Sequence, residues 1–575
     1  MKIVLTTLNA KYIHTSLGLR YLRECSKALG YDVVLKEYSI NQELLTVLGD
    51  ICRERPDVVA LGCYIWSRTL VEELVDSLKQ VLPQAQIVLG GPEVGFTPQE
   101  ALEAMPGADA VILGEGETAF PQWLEVCAGK REAETVTGVA WRKEGKIVVQ
   151  GGPQAQTDLA QLPFPYQEEE MASLQGRILY YETTRGCPFS CQYCLSSAQD
   201  GVRYLPLARI KEEILFFLRH GVKQIKFVDR TFNARKDHYR PLWRWLASLE
   251  GDINFHFEIA AGLLEQEDLE FLASVPVGRF QLEIGVQSTH EPTLEEIQRR
   301  NYWEKLQQAV AFLRKQNNMH LHLDLIVGLP YEGWREFHRS FNEVFALRPH
   351  MLQMGFLKML PASGLRQRAA AYQYRFLQKP PYTVLASNAM SAEEIRKLHL
   401  MEDIVEHVYN GGRFQQALNY LLACWQQDAF ACFSNMAEYW DEQRLDLAAM
   451  GVRGWYRNLL AYAQWRWGGE KQAVLREWLR LDALLSDGGQ QRPPELKWNG
   501  PEWEDEKQAF WRNEEAVRRY IPEYAFGSWR ELKRKYHLEF LFFSGPDGRM
   551  ERLNWLVRYD LPAGSSAQEV QLDAE

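Results

Sequence analysis

The sequence predicts an α/β protein in three parts: an N-terminal Rossmann-like doubly wound parallel sheet, a partial (β/α)6 barrel of TIM type, and a mostly α-helical C-terminal domain. Three observations carry this. Short apolar strands alternate with amphipathic helices over residues 1–150. Six more strand-helix units follow a strap at 151–177 and fill 178–375. Over 376–575 helical periodicity dominates, and 11 of the 18 tryptophans fall after residue 380, which argues for a packed domain. A chain of 575 residues has room for about three such domains.

In the first part, strands are expected at Ile3–Leu8, Val33–Glu37, Val58–Cys63, Ile87–Leu89 and Ala110–Leu113, with helices from about Thr15 and across Thr69–Val81. Ligands of doubly wound sheets sit beyond the carboxyl ends of the strands. Three loops fall there: Asn9 to Gly18, Gly90-Gly91-Pro92-Glu93 and Gly114-Glu115-Gly116-Glu117. Their glycines allow a large ligand to approach the backbone. The strap, with Gly151-Gly152-Pro153, Leu162-Pro163-Phe164-Pro165-Tyr166 and Glu168-Glu169-Glu170, reads as extended and stiff.

The barrel strands are expected at Ile178–Thr184, Gln224–Phe232, Asn254–Ala261, Phe280–Gln287, Leu321–Leu329 and Leu352–Leu360, with helices such as Leu207–His220 and Thr293–Gln316 between them. Active sites of such barrels lie at the C-terminal strand ends. The first strand runs into Thr184-Arg185-Gly186-Cys187-Pro188-Phe189-Ser190-Cys191-Gln192-Tyr193-Cys194, three cysteines at C-x3-C-x2-C spacing. A structural zinc site wants four ligands, and the nearest downstream histidine, His220, lies 26 positions beyond Cys194. Cys187, Cys191 and Cys194 instead suit a [4Fe-4S] cluster with one iron left open. The motif resembles that of the radical S-adenosylmethionine (radical SAM) superfamily.

That resemblance carries further residues. The glycine loops with Gly90, Gly91, Gly114, Glu115 and Gly116, in this order before the cluster motif, resemble the cobalamin-binding domain fused to one class of radical SAM enzymes, against the alternative of a generic Rossmann-like domain. Asn9 and His14 lie in the loop where such domains can carry D-x-H-x-x-G. Here the aspartate is absent and the glycine one residue late, so His14 is expected as a loop or substrate-facing residue, with cobalt ligation the alternative. The barrel strand ends resemble enzymes of the oxygen-independent coproporphyrinogen oxidase type. This implies that Asp229, Arg230 and Thr231 meet the methionyl amine of S-adenosylmethionine, Glu258 and Gln287 its ribose, and Ile326, Gly328 and Leu329 its adenine. Arg230 departs from the acidic residue expected there. The segment Met359 to Gly364 is expected to face substrate.

In the last part, helices are expected at Ala392–His407, Arg413–Cys424 and Gly454–Trp467. A β-hairpin is expected around Gly545-Pro546-Asp547-Gly548, and a frayed end from Ala563. Cys424 and Cys432 read as buried thiols, and the domain as a cap that shapes the substrate pocket.

Sixty-five basic against 76 acidic residues, a net charge of -11, argue against general nucleic-acid binding. The N-terminal segment lacks the features of a signal peptide, and the longest apolar run, Val58 to Trp66, is too short to span a bilayer. Nine cysteines without a disulfide framework point to a reducing, cytoplasmic compartment. The resemblance implies a [4Fe-4S] cluster, S-adenosylmethionine and cobalamin as cofactors. It also implies a reductase, flavodoxin or ferredoxin as electron donor, and methylation of an unactivated carbon in a small-molecule substrate. Cyclisation, ring contraction or oxidation with the same cofactors is the enzymatic rival, and a non-catalytic electron carrier or cobalamin sensor the rival of another class.

Overall fold

The computed structural model describes residues 1–152, 157–198, 201–544, 550–561 and 564–572. Two units divide the chain: Met1–His350 with Met354–Ala392, and Met351–Gln353 with Glu393–Glu575.

The first unit opens with a seven-stranded sheet: β1 (Lys2–Asn9), β2 (Asp32–Ser39), β3 (Val58–Gly62), β4 (Gln86–Gly90), β5 (Ala110–Ile112), β6 (Val139–Lys143) and β7 (Lys146–Gln150), in the order β2-β1-β3-β4-β5-β6-β7. The first five are parallel, and the order reverses beside β1, the place where such sheets leave a crevice. Their near-continuous apolar runs bury both faces: Val4, Leu61 and Leu89 pack with Val71 and Leu74 on one side, and Leu5, Ala60 and Val88 with Phe120 and Trp123 on the other. The antiparallel pair β6-β7 extends the sheet beyond the sequence expectation. Its signal was Glu144-Gly145, both at positive φ as a two-residue hairpin turn requires.

The second sheet holds β8 (Leu179–Tyr181), β11 (Gln224–Phe227), β12 (Asn254–Ile259), β13 (Phe280–Gln287), β14 (His320–Val327) and β15 (Met351–Phe356), in the order β15-β14-β13-β12-β11-β8. The pairs from β8 through β14 are parallel. On β13 residues alternate between full and partial burial, so Glu283, Gly285 and Gln287 share the face turned to the barrel lumen. At the free edge of β8 the loop Ile13–Thr15 adds a short rung: the Ile178 N–H donates to the Ile13 carbonyl at 2.9 Å, and Thr15 Oγ1 donates to the Ile178 carbonyl at 3.2 Å.

Three barrel expectations are corrected. The strand expected at Gln224–Phe232 ends at Phe227, so Asp229, Arg230 and Thr231 lie in the loop beyond it. The strand expected at Ile178–Thr184 stops at Tyr181, and Thr184–Gly186 (β9) leaves the sheet to pair antiparallel with Val202–Tyr204 (β10). Asp229 holds the chain where it departs, accepting from both the Thr183 N–H (3.0 Å) and Thr183 Oγ1 (2.6 Å). The helix expected at Thr293–Gln316 is two, Glu291–Glu296 and Trp303–Gln316, separated by Gln298 and Tyr302 at positive φ. After β15 a short antiparallel pair, β16 (Arg375–Phe376) with β17 (Val384–Ala386), belongs to the same unit.

The second unit is helical over Glu393–Asp487, with a π-helical turn at Val405–Asn410 where a continuous helix was expected. A three-stranded sheet follows, of β18 (Tyr536–Ser544), β19 (Met550–Leu561) and β20 (Gly564–Glu569). The expected turn at Gly545–Gly548 lies outside the described residues. The expected fraying is corrected: β20 pairs with β19, and Val570 is buried with Phe540 and Leu556.

Candidate active site

The cysteine loop is anchored from both sides. Gly186 sits at φ 103, where a side chain would run into the Gly201 carbonyl, so only glycine closes the β9-β10 hairpin this tightly. Beyond it, Cys194 N–H donates to the Cys191 carbonyl at 3.0 Å. Gln192 is held through its N–H to the Ile297 carbonyl (3.0 Å) and through its carbonyl to the Leu365 N–H (2.9 Å). Each sulfur meets a polar group: Thr231 Oγ1 lies 3.7 Å from Cys187 Sγ, Arg299 Nη1 3.9 Å from Cys191 Sγ, and the Ser196 N–H 3.4 Å from Cys194 Sγ. Among the described residues no three His, Cys, Asp or Glu side chains stand close enough to hold a single ion. Three thiols around one cavity, each with a polar group at its sulfur, fit a polynuclear iron-sulfur cluster, whose ligands stand further apart.

All three cysteines line a cavity of about 180 Å3 with Arg230, Thr231, Glu258, Gln287, Arg299 and Asp324. Of the residues expected to read S-adenosylmethionine, Arg230, Thr231, Glu258 and Gln287 therefore come together. Asp229 does not line it. Fully buried, it is spent on Thr183, and burial, opposed by those hydrogen bonds, pushes its carboxyl up to about 6. Ile326, Gly328 and Leu329 lie beyond the cavity at the end of β14, where Tyr374 Oη donates to the Gly328 carbonyl at 2.8 Å. Arg299 escaped the sequence reading because it was placed within a continuous helix. The helix break brings its guanidinium to Cys191, with Nε donating to Asn301 Oδ1 at 3.0 Å.

Glu258, Glu283 and Asp324 of the cavity wall belong to a ladder of charge in the lumen. Lys226 Nζ lies 2.9 Å from Glu283 and 3.9 Å from Glu258. His256 Nε2 is 3.0 Å from Glu283 and His322 Nε2 2.9 Å from Asp324, both without hydrogen-bond alignment. Burial opposes the charge on Glu283, yet His256 and the Lys226 ammonium hold its carboxyl down at about 2. Burial, then repulsion from Glu283, pushes Glu258 up to about 7 against the pull of Arg230 and Lys226.

A second cavity, about 700 Å3, opens over the carboxyl ends of β3, β4 and β5. Gly90, Gly91, Gly114, Glu115 and Gly116 line it, as do Gly62, Tyr64, Val88 and Phe120. Gly91, at φ 100, lies so close to the Cys63 carbonyl that a Cβ would stand 2.6 Å from its oxygen, whereas a Cβ on Gly90 would meet nothing within 4 Å. This smooth glycine-lined cradle fits a large planar cofactor such as cobalamin. Asn9 and His14 are outside it. Asn9 Nδ2 donates to the His14 carbonyl (3.2 Å) and Glu37 (3.4 Å), and the His14 ring packs edge-on against Tyr180 with centroids 5.8 Å apart. Burial and the cations Lys11 and Lys226 lower the His14 pKa.

Glu182 and Val228, just beyond β8 and β11, and Arg185 of β9 line the second cavity as well. Arg185 Nη1 lies 3.2 Å from Glu115 and 2.8 Å from Glu117, and its Nη2 2.6 Å from Glu182. Sequence reading gave Arg185 no role, since Glu115 and Glu117 are remote in the chain.

Family models agree with this layout. Residues 3–124 match the B12 binding domain, 181–344 the Radical SAM superfamily and 370–552 a protein family of unknown function, DUF4080. The chain is 30% identical over 342 residues to the cobalamin-dependent radical SAM methyltransferase TokK of Streptomyces tokunonensis, covering 56% of this chain and 49% of that one. It is 26% identical over 506 residues to the 2-(S-pantetheinyl)-carbapenam-3-carboxylate methyltransferase of Streptantibioticus cattleyicolor, covering 80% and 68%. It thus spans about half the length of the first relative. Among solved structures, the cobalamin-dependent radical enzyme OxsB with aqua-cobalamin bound has a TM-score of 0.60 at 14% identity, covering 86% of this chain and 82% of that one. TsrM from Kitasatospora setae, with cobalamin and a [4Fe-4S] cluster bound, has a TM-score of 0.54 at 15% identity, covering 66% and 78%. At these identities the structural likeness shows the fold. Motif, fold and family models together make the chain a radical SAM protein with a B12-binding domain.

Proposed function

We propose that this protein methylates an unactivated carbon of a small-molecule substrate, using a [4Fe-4S] cluster, S-adenosylmethionine and cobalamin. One observation carries the reading: the segments that follow β8 and β11 line both cavities, through Glu182, Arg185 and Val228 on one side and Cys187, Arg230 and Thr231 on the other. When bound, the cluster supplies the electron that cleaves S-adenosylmethionine to a 5′-deoxyadenosyl radical, and cobalamin supplies the methyl group.

In this reading Cys187, Cys191 and Cys194 hold the cluster. Arg299, cationic and beside Cys191, suits the methionyl carboxylate. Glu258 and Gln287, on neighbouring strand ends of the same cavity, suit the ribose hydroxyls. The glycine cradle holds cobalamin. Among the described residues no histidine, cysteine or methionine lines that cavity, so the residues present would hold cobalamin through backbone and apolar contacts. The electron comes from a reductase, flavodoxin or ferredoxin. The setting is cytoplasmic. No helix among the described residues is long and apolar enough to cross a membrane.

The test is turnover of S-adenosylmethionine bearing a deuterated methyl group with an active metabolite fraction, read by mass spectrometry. Methyl transfer labels the product and releases near-equal amounts of S-adenosylhomocysteine and 5′-deoxyadenosine. Turnover that yields 5′-deoxyadenosine and unlabelled product would move the assignment to cyclisation, ring contraction or oxidation.

A further inference from the structure

Arg185 occupies a position that neither cofactor cavity explains alone. It comes two residues before Cys187, yet its guanidinium is turned away from the cysteines and into the wall of the glycine-lined cavity. There it meets carboxylates from two segments. Nη1 reaches Glu115 (3.2 Å), at the end of a loop that lines the cavity, and Glu117 (2.8 Å), in the first turn of the helix that follows. Nη2 (2.6 Å) and Nε (3.1 Å) form a bidentate pair with Glu182 at the strand end. The Tyr21 ring lies 5.7 Å from the guanidinium carbon. The group is well shielded: side-chain exposure is 17% for Arg185, 12% for Glu115, 8% for Glu117 and 7% for Glu182.

The other cation of the cluster, Arg203, has a different geometry. It pairs with Glu115 and donates to the Thr157 carbonyl, so it ties the cavity loop to β10 and the strap. Arg185 ties the same loop to the chain that enters the cysteine motif. Between Arg185 and Cys187 stands Gly186 alone, pressed against the Gly201 carbonyl with no room for even a methyl group. A segment this tightly packed transmits displacement instead of absorbing it. Whatever fixes Glu115 and Glu117 therefore also fixes the approach to Cys187. Two guanidinium groups face three carboxylates here, so Arg185 cannot be replaced by solvent without leaving buried charges uncompensated.

We infer that Arg185 is a positioning residue that couples cobalamin binding to the order of the cluster loop, so that a filled glycine cavity raises affinity for S-adenosylmethionine. This rests on the cofactor assignments proposed above. Ligand-linked ordering gives cooperativity without a large conformational change, and linkage makes the effect reciprocal. Each cofactor should tighten the other by the same factor, about 5- to 150-fold for couplings of ordinary size.

The experiment uses the cluster-reconstituted full chain. Hydroxocobalamin is titrated by absorbance with and without saturating S-adenosylmethionine, and S-adenosylmethionine by equilibrium dialysis with and without hydroxocobalamin. Hydrogen exchange of peptides spanning 184–198 is followed in parallel. The wild type should show one common coupling factor and slowed exchange in the loop when cobalamin is bound. Arg185→Lys keeps the positive charge, but a single ammonium lacks the fork that reaches both segments. Both cofactors should still bind it, with the coupling factor near one and loop exchange indifferent to cobalamin. If Arg185→Lys does not fold, Glu117→Gln removes one arm and should lower the factor. Wild-type binding of both cofactors without coupling, or wild-type coupling in the variant that folds, overturns the inference. Failure of the wild type to bind cobalamin at all strikes the cofactor assignment instead, and the two failures are told apart by the first titration.

Discussion

The side-chain amide of Gln287 fills the space that a Cβ on Gly285 would need. Both residues lie on the lumen face of β13, and Gln287 itself is held at φ 72, a strained conformation for a residue with a side chain. The strain is tolerated because it places the amide in the cysteine-lined cavity. Gly285→Ala should displace the amide and Gln287→Ala should delete it. Each removes one hydrogen bond worth about 0.5 to 1.5 kcal/mol, a loss of about 2- to 12-fold in S-adenosylmethionine affinity. Iron content should be unchanged. Equilibrium dialysis and iron assay check both, and unchanged affinity in the two variants would place the ribose elsewhere.

Cys191 is the most enclosed of the three motif cysteines, 5% exposed, and Arg299 sits at its sulfur. Cys191→Ala should therefore cost most of the reconstituted iron and sulfide and abolish reductive cleavage of S-adenosylmethionine. Full iron loading with retained 5′-deoxyadenosine formation would refute the cluster assignment.

The His14 ring is packed on Tyr180 and lies outside the glycine-lined cavity. Electron paramagnetic resonance of Co(II) cobalamin bound to the protein should show no nitrogen superhyperfine splitting from a protein ligand. His14→Ala should leave cobalamin affinity within about twofold, as expected for a residue that makes no contact with the ligand. Splitting that disappears in His14→Ala would contradict this placement.

Glu258 gives stability a pH dependence of definite sign. Its folded-state pKa, about 7, is above the ordinary carboxylate value of 4.5, so the folded protein holds the extra proton between these limits. Stability then falls as pH rises from about 4.5 to about 7, and the penalty is constant above. Glu258→Gln should raise the melting temperature relative to wild type at pH 8 and do so least at pH 5. Thermal melts of the cofactor-free proteins at the two pH values check it. An equal shift at both would show that Glu258 titrates normally.

The parts of the site legible in the sequence are those that local pattern encodes. Cys187, Cys191 and Cys194 fall within one loop, and Gly90-Gly91 and Gly114-Glu115-Gly116 follow short apolar strands whose period announces them. Arg230, Thr231, Glu258 and Gln287, which line one cavity, could be grouped from the sequence because each lies at or just beyond the C-terminal end of a barrel strand. Arg299 could not, because helical periodicity continues on both sides of it. The break comes from Gln298 and Tyr302 adopting positive φ, which no residue type there announces. Asp229 stands apart from the cavity lining for a related reason. A carboxylate at a strand end looks available until Thr183, 46 residues earlier, is found to hold it.

The sequence by itself determined the order of the parts, the strand-helix alternation and the cysteine loop, because hydrophobic period and ligand spacing act between residues a few positions apart. Only the tertiary structure decided which polar groups share a cavity. It set Arg185 against Glu115 and Glu117, joined Lys226 to Glu283 across the lumen, and turned His14 to Tyr180. Those pairings depend on strand register and on how each loop packs, and a buried charge settles on whichever partner the fold brings within about 4 Å, however distant in the chain.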